Sequence, residues 1–171
     1  MNILETERLT LRQFTTDDAA FILELLNEPA FIQNIADRGV RTLADARAYI
    51  QQGPIASYAR FGFGLWRAGL KASDAPIGMC GLIKRDVLPD VDIGYALLER
   101  HRGQGYAYEL ASAVLDYGRR VLNIERIIAI TAPDNMASVR VLEKLGLRFD
   151  KIVDLPDSGG ESKLFVPPDD L

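Results

Sequence analysis

Arg100-His101-Arg102-Gly103-Gln104-Gly105-Tyr106-Ala107-Tyr108-Glu109 joins two stretches of different period. Before it lies an apolar run, Ile93 to Leu98. After it, apolar or small residues recur at Ala107, Leu110, Ala111, Val114, Leu115, Gly118, Val121 and Leu122. That recurrence is helical over about four turns, so the stretch reads as strand, glycine-rich turn, helix. Gly103 and Gly105 let the backbone turn tightly and bare its N–H groups, and a helix start adds unsatisfied donors and a partial positive charge. Such a turn suits a phosphate or pyrophosphate. The two common phosphate loops fit it poorly. A Walker loop needs Gly-Lys-Ser/Thr, and a dinucleotide fingerprint needs a third glycine where Tyr108 stands.

Working outward, Asp90 to Leu98 reads as the strand that feeds the turn, and Ile124 to Thr131 as the β-branched strand that follows the helix. A strand-helix-strand unit of this length implies a parallel, right-handed crossover. Upstream, Phe61 to Trp66 and Ile77 to Ile83 flank a polar loop around Lys71-Ala72-Ser73-Asp74, as in a hairpin. Glycines at 62, 64, 78 and 81 need a reason in strands. Close approach of a ligand or another backbone is one, and bulges are the other.

Leu9 to Phe14 reads as a first strand. Thr15-x-x-Asp18 and Thr42-x-x-Asp45 have the spacing of helix starts, with Pro29 ending the first helix and Gly53-Pro54 the second. Asp134-Asn135 caps a further helix carrying Met136, Val139, Leu142 and Leu145, which Gly146 ends. Leu147 to Asp154 and Glu161 to Val166, around Pro156-Asp157-Ser158-Gly159-Gly160, read as a closing hairpin, and Pro167 to Asp170 as a frayed tail. The expected fold is α/β (α+β): one domain over residues 1–171, with a mixed, mostly antiparallel sheet of about seven strands, one parallel step and about four helices.

The 171 residues are 48% hydrophobic and 26% charged, as in an ordinary globular protein. One cysteine, Cys80, and one histidine, His101, exclude a disulfide framework and argue against a His/Cys metal site or a Ser-His-Asp triad. A net charge of −4 argues against sequence-independent nucleic-acid binding and fits a cationic small substrate or simple solubility. No charged-then-apolar run opens the sequence and no apolar run approaches membrane length, so the expected location is the cytoplasm.

Ligands on open α/β sheets bind at the carboxyl ends of strands beside a crossover. Here Arg102 to Ala107 and Thr131 to Asn135 would bring two helix N-termini to one cleft. Arg100-x-x-Gly103-x-Gly105-x-Ala107 resembles the coenzyme-A pyrophosphate loop of the GNAT N-acetyltransferases, Gln/Arg-x-x-Gly-x-Gly/Ala. Three more stretches are similar to the RimJ/RimL-like ribosomal-protein branch of that family: Glu5-Thr6-Glu7-Arg8-Leu9-Thr10-Leu11-Arg12, Asp92-Ile93-Gly94-Tyr95-Ala96-Leu97, and Asn135-Met136-Ala137-Ser138-Val139-Arg140-Val141-Leu142-Glu143-Lys144-Leu145-Gly146-Leu147. The four stand in the family's order and span nearly the whole chain.

The resemblance implies a GNAT-like sheet whose parallel strands splay apart, with acetyl-CoA as co-substrate and no metal. Backbone N–H groups from Arg102, Gly103, Gln104, Gly105, Tyr106 and Ala107 would hold the pyrophosphate, Arg102 adding charge. The pantetheine arm would pair with backbone at Tyr95, Ala96 and Leu97. Asn135 would contact the cofactor and Ser138 would lie near the thiol, although both positions also suit helix capping. Some family members use a glutamate base and a tyrosine acid, but Ile130 and Leu142 stand at those positions. Asp92 is then the candidate group for the amine, with an exposed strand-end carboxylate as the alternative reading, and Ser138 the candidate partner of the thiolate. The implied activity is acetyl transfer to a protein N-terminal α-amine. A small amine acceptor (polyamine, amino acid or antibiotic) and a non-catalytic acyl-CoA-binding module are the alternatives. Related proteins are monomers or homodimers.

Overall fold

Eight strands share one mixed sheet in the computed structural model, which describes residues 2–156 and 160–168. They are β1 (Asn2–Glu5), β2 (Leu9–Arg12), β3 (Leu65–Leu70), β4 (Pro76–Ile83), β5 (Val91–Leu97), β6 (Ile127–Thr131), β7 (Arg148–Leu155) and β8 (Gly160–Val166). The spatial order is β1-β2-β3-β4-β5-β6-β8-β7, and among the described residues only β5 and β6 run parallel. The helices are α1 (Ala19–Leu26), α2 (Pro29–Asn34), α3 (Leu43–Ile50), α4 (Ala56–Phe61), α5 (Tyr106–Arg120) and α6 (Met136–Lys144). The expected mixed sheet with a single parallel step is present, with more strands and helices than anticipated.

The differences lie at the edges and in the N-terminal helices. β1 was not anticipated from Asn2-Ile3-Leu4-Glu5; it adds antiparallel to β2. Pro29 ends α1 as expected but also opens α2, since a proline at the first helical position lacks only an N–H that would be orphaned anyway. Gly53-Pro54 does not stop the chain's helical course. A π-helical turn over Gln51–Ile55 carries it into α4, and Gly62, in the left-handed region at φ +80°, ends the run. Residues 61–64, expected in a strand, therefore precede β3. Residues 157–159 of the closing turn and 169–171 of the tail lie outside the described residues.

The strand glycines are explained by neighbouring backbone. A Cβ on Gly78 would stand 2.2 Å from the Ala96 carbonyl oxygen, and one on Gly81 would stand 2.0 Å from that of Gly64. Thr15 and Asp18 form the expected capping box, and the Thr42 hydroxyl accepts from the Asp45 N–H.

Helices cover both faces. On one, Leu110, Ala111, Val114 and Leu115 of α5 and Val139 and Leu142 of α6 pack on Trp66, Leu82, Ile93 and Ala129. On the other, Ile22, Leu25, Phe31, Ala46 and Ile50 from α1 to α3 cover Met79 and Leu98. Each large aliphatic side chain so buried contributes about 1.5–3 kcal/mol, which makes these two cores the stabilising frame of the site.

The feature that positions the site is a local failure of pairing. β5 and β6 pair only over Val91–Ile93 and Ile127–Ala129. Beyond that, β6 pairs with β8 through Ala129–Thr131, while Gly94 to Leu97 keep β4 on one side and, among the described residues, have no strand on the other. The two parallel strands splay, and a gap opens toward the glycine-rich turn.

Candidate active site

The turn after β5 is built as its sequence demands. Glu99–His101 makes one short 3-10 turn, and Gly103 and Gly105 then take φ +77° and +81°, which a side chain would strain. α5 begins at Tyr106. Among the described residues, the N–H groups of Gly103 to Tyr108 have no protein acceptor, whereas that of Glu109 already bonds to the Gly105 carbonyl. A cradle of bare donors at the start of a fifteen-residue helix fits the diphosphate of coenzyme A by donor chemistry and by the helix dipole.

Arg8 fastens this turn from outside. Its Nε bonds Glu109 Oε1 at 2.8 Å, its Nη1 donates to the Gln104 carbonyl at 3.0 Å, and its guanidinium lies 4.6 Å from the centre of the Tyr106 ring. The Thr6 hydroxyl and the Arg8 N–H reach Glu109 Oε2. Burial pushes the Glu109 carboxyl up, but these donors outweigh it and hold it below the usual glutamate range. Thus β2's lead-in, part of the stretch that carried the resemblance, is joined to α5's first turn.

A cavity of about 510 Å³ runs from this turn along the gap. Its wall brings together Tyr95, Ala96, Leu97, Arg102, Gly103, Gly105, Tyr106 and Ala107 with Asn135, Ser138 and Asp92. Of the residues anticipated for the site only Gln104 is absent from the wall, where its carbonyl faces Arg8 instead. Arg102 does not reach over the turn. Its Nη2 donates to the Leu97 carbonyl at 3.1 Å and lies 3.7 Å from Glu28, at the start of α2.

Midway along the gap, the Tyr95 hydroxyl and Ser138 Oγ stand 2.9 Å apart. Burial pushes the Tyr95 hydroxyl up to about 12, so it stays protonated at neutral pH and can donate. Asn135 Oδ1 accepts from the Ser138 N–H at 3.3 Å, the ordinary geometry of a helix cap. Sequence reasoning had assigned Tyr95 through its backbone alone. The phenol's part emerges only when α6 packs across β5.

Asp92 is not the exposed strand-end carboxylate of the alternative reading; it is 1% exposed. Its Oδ1 accepts from Arg85 Nε at 3.0 Å, and its Oδ2, also buried, has no hydrogen-bond partner among the described residues. Burial pushes this carboxyl up to about 6, the Arg85 cation pulling the other way. Arg85 was not singled out from the sequence, because no motif ties the end of β4 to β5. Ile130 and Leu142 both line the cavity, so no proton-transferring side chain replaces them there. Cys80 is fully buried and burial pushes its thiol up, which removes it as a nucleophile.

A sheet with one splayed parallel pair, and a helix-borne anion cradle at its mouth, is the framework of an acetyltransferase that uses a coenzyme-A thioester. The family model described as Acetyltransferase (GNAT) domain matches residues 8–148, and the chain belongs to that family. It is 30% identical to the uncharacterized N-acetyltransferase YnaD of Bacillus subtilis over 145 residues, 85% of this chain and 82% of that one. Among solved structures it is similar to an acetyltransferase from Agrobacterium tumefaciens, with 28% identity and a TM-score of 0.80 over 95% of this chain and 92% of that one. It also shares its fold with RimL, a ribosomal L7/L12 alpha-N-protein acetyltransferase solved in complex with coenzyme A. There the identity is 19% and the TM-score 0.81, over 97% of each chain. No helix among the described residues is long and apolar enough to cross a membrane.

Proposed function

We propose that the protein is a RimJ/RimL-like enzyme that moves the acetyl group of acetyl-CoA directly to a primary amine, that of a protein N-terminus, in the cytoplasm. The observation that carries this reading is the unpaired edge of β5 from Gly94 to Leu97. It lies between the bare N–H groups of the Gly103–Gly105 turn at one end and Asp92 at the other.

Acetyl-CoA supplies an activated acyl carbon and a thiolate leaving group. The chain's own residues supply the rest. The turn's N–H groups bind the diphosphate, and the free backbone edge at Tyr95, Ala96 and Leu97 orients the arm that follows. Asp92 Oδ2, without a protein partner, takes the proton of the incoming amine, directly or through one water. A carboxyl titrating near 6 is ionised at neutral pH yet basic enough to accept that proton. The Tyr95–Ser138 hydroxyl pair returns a proton to the departing sulfur. In the balance, an N–C bond forms and a C–S bond breaks; Asp92 gains the amine proton, the hydroxyl pair gives one to sulfur, and exchange with solvent resets both groups before the next turnover.

Initial rates with acetyl-CoA against N-terminal peptides and spermidine test this. Intersecting double-reciprocal lines, with peptides preferred, are expected. Parallel lines, or an acetylated protein competent to pass its acetyl group on, would overturn direct transfer. Turnover of spermidine alone would overturn the acceptor assignment, and no turnover of any amine would leave only an acyl-CoA-binding module.

A further inference from the structure

The charges on the cavity wall are sorted along its length. Arg102, Arg140 and Lys144 stand at the turn end: Arg102 at the Leu97 carbonyl, and Lys144, one turn beyond Arg140 on α6, with its Nζ 4.2 Å from the Tyr108 ring centre. These match a polyanionic co-substrate. Two further arginines have no such explanation. Arg85 sits beside Asp92, five residues back along β5 from Leu97, which at ~3.3 Å per residue is roughly 16 Å away. Arg38 follows α2, and Arg38, Tyr49 and Arg85 line the same cavity, where the charges of both arginines act on the Tyr49 hydroxyl.

Arg38 is not neutralised there, and Arg85 is paired through Nε alone, with Asp92. Arg38 has no ion pair or hydrogen bond among the described residues, and its neighbour Asp37 is held by Arg41 at 2.7 Å. Arg85 gives Nε to Asp92 and leaves both terminal nitrogens unpaired among the described residues. Among the described residues Asp92 is the single acidic one of the cavity wall, and its Oδ2 is buried without a partner. The far end therefore presents one carboxylate oxygen lacking a donor and, beside it, the Arg38 guanidinium and the terminal nitrogens of Arg85, which lack an acceptor among the described residues. A polyamine would satisfy the first and be repelled by the second, although the chain as a whole is negative; local charges outweigh distant, screened ones.

Taking this cavity as the acetyl-transfer site argued above, we propose that the acceptor carries an anionic group close to its reactive amine. The amine lies toward Asp92, and the anion is gripped by Arg38 and the open end of Arg85. An acidic residue just after a peptide's N-terminal residue and the α-carboxylate of a free amino acid both offer this chemistry.

The test uses the full chain saturated with acetyl-CoA and the C-terminally amidated peptides Ala-Asp-Ala, Ala-Ala-Ala and Ala-Lys-Ala, with free alanine to separate the two sources. Acceptor binding is read by calorimetry on the CoA-loaded protein, alongside kcat/KM. Ala-Asp-Ala amide or free alanine is expected to exceed Ala-Lys-Ala amide by about tenfold or more, a margin one good ion pair supplies. Arg38→Glu should reverse that order, and Arg38→Lys should largely keep it. Equal or greater turnover of the neutral and lysine peptides, or an order unmoved by Arg38→Glu, overturns the proposal while leaving acetyl transfer standing. Binding of an anionic probe that Arg38→Glu abolishes, without any turnover, supports the anion grip and overturns the transferase reading instead. No binding and no turnover overturns both.

Discussion

Replacing Asp92 by asparagine removes a buried charge without changing shape, since Arg85 Nε can still donate to the retained Oδ1. The folded carboxyl titrates at about 6, above the ordinary aspartate value of about 3.9. Between those values the unfolded chain has lost the proton and the folded chain still holds it, so the folded state binds more protons and stability falls as pH rises. The difference corresponds to about 3 kcal/mol, fully present below about pH 4 and gone once pH passes through 6. For a chain of this length that is roughly 6–12 °C in Tm. Asp18 and Glu109 act in the opposite sense. Burial raises each, but hydrogen bonds from Arg12 and Thr15, and from Thr6 and Arg8, win and hold both low, so their stability is lost only as pH falls below about 4. Melting curves from pH 4.5 to 7.5 therefore isolate Asp92: the wild type should lose stability across that window relative to Asp92→Asn. In turnover the same variant should lose about a hundredfold or more in kcat/KM above pH 6, the low end of general-base effects, with the gap closing below pH 6. An exposed strand-end carboxylate with no part in proton transfer would predict little loss at any pH. Parallel melting curves for the two proteins would refute the reasoning, because they would mean that the carboxyl is not shifted.

Gly105→Glu adds a side chain at φ +81° and a negative charge inside the anion cradle; circular dichroism should stay native-like while acetyl-CoA binding is lost in calorimetry, and retained micromolar binding would refute the loop's role. Arg8→Ala frees Glu109 and the Gln104 carbonyl at once. The KM for acetyl-CoA should rise several-fold with kcat little changed, and a fall in kcat alone would count against a positioning role. Gly78→Ala drives a methyl to 2.2 Å from the Ala96 carbonyl oxygen and should lower Tm steeply or prevent folding, by about 1–3 kcal/mol or more. Gly53→Ala, with nothing within 4 Å, is the control and should melt no lower than wild type. Asn135→Ala should cost about 0.5–2 kcal/mol as a lost cap, and an unchanged kcat/KM would limit Asn135 to that cap.

The local rules were readable from the chain alone wherever one residue type has one physical solution. Two glycines between an apolar run and a 3.6-residue repeat can hardly be anything but a tight turn into a helix, and the bonds of Thr15, Thr42 and Asn135 follow from side chains that can cap. The parallel step followed from the distance between β5 and β6, which a hairpin cannot span. Where local signals conflict, packing decided. Gly53-Pro54 is a strong stop signal, yet Pro54 is buried in a π-helical turn that carries the chain on into α4. The glycines at 78 and 81 could have made room for a ligand or a bulge; what they admit is the backbone of neighbouring strands and loops.

The electrostatics of the site belonged wholly to the tertiary structure. Asp92 in the sequence is only an acidic residue in a strand that alternates polar and apolar positions. Its burial, its bond to Arg85 and its orphaned oxygen arise because β4 and β5 pair in register from Gly78 with Leu97 to Ile83 with Asp92, which carries Arg85 alongside. Tyr95 meets Ser138, Arg8 meets Glu109, and Arg38 comes to the same end of the cavity as Arg85, across separations of tens of residues or more. A carboxyl's proton affinity depends on which charges and how much water lie within a few ångströms, and chain order does not encode that distance.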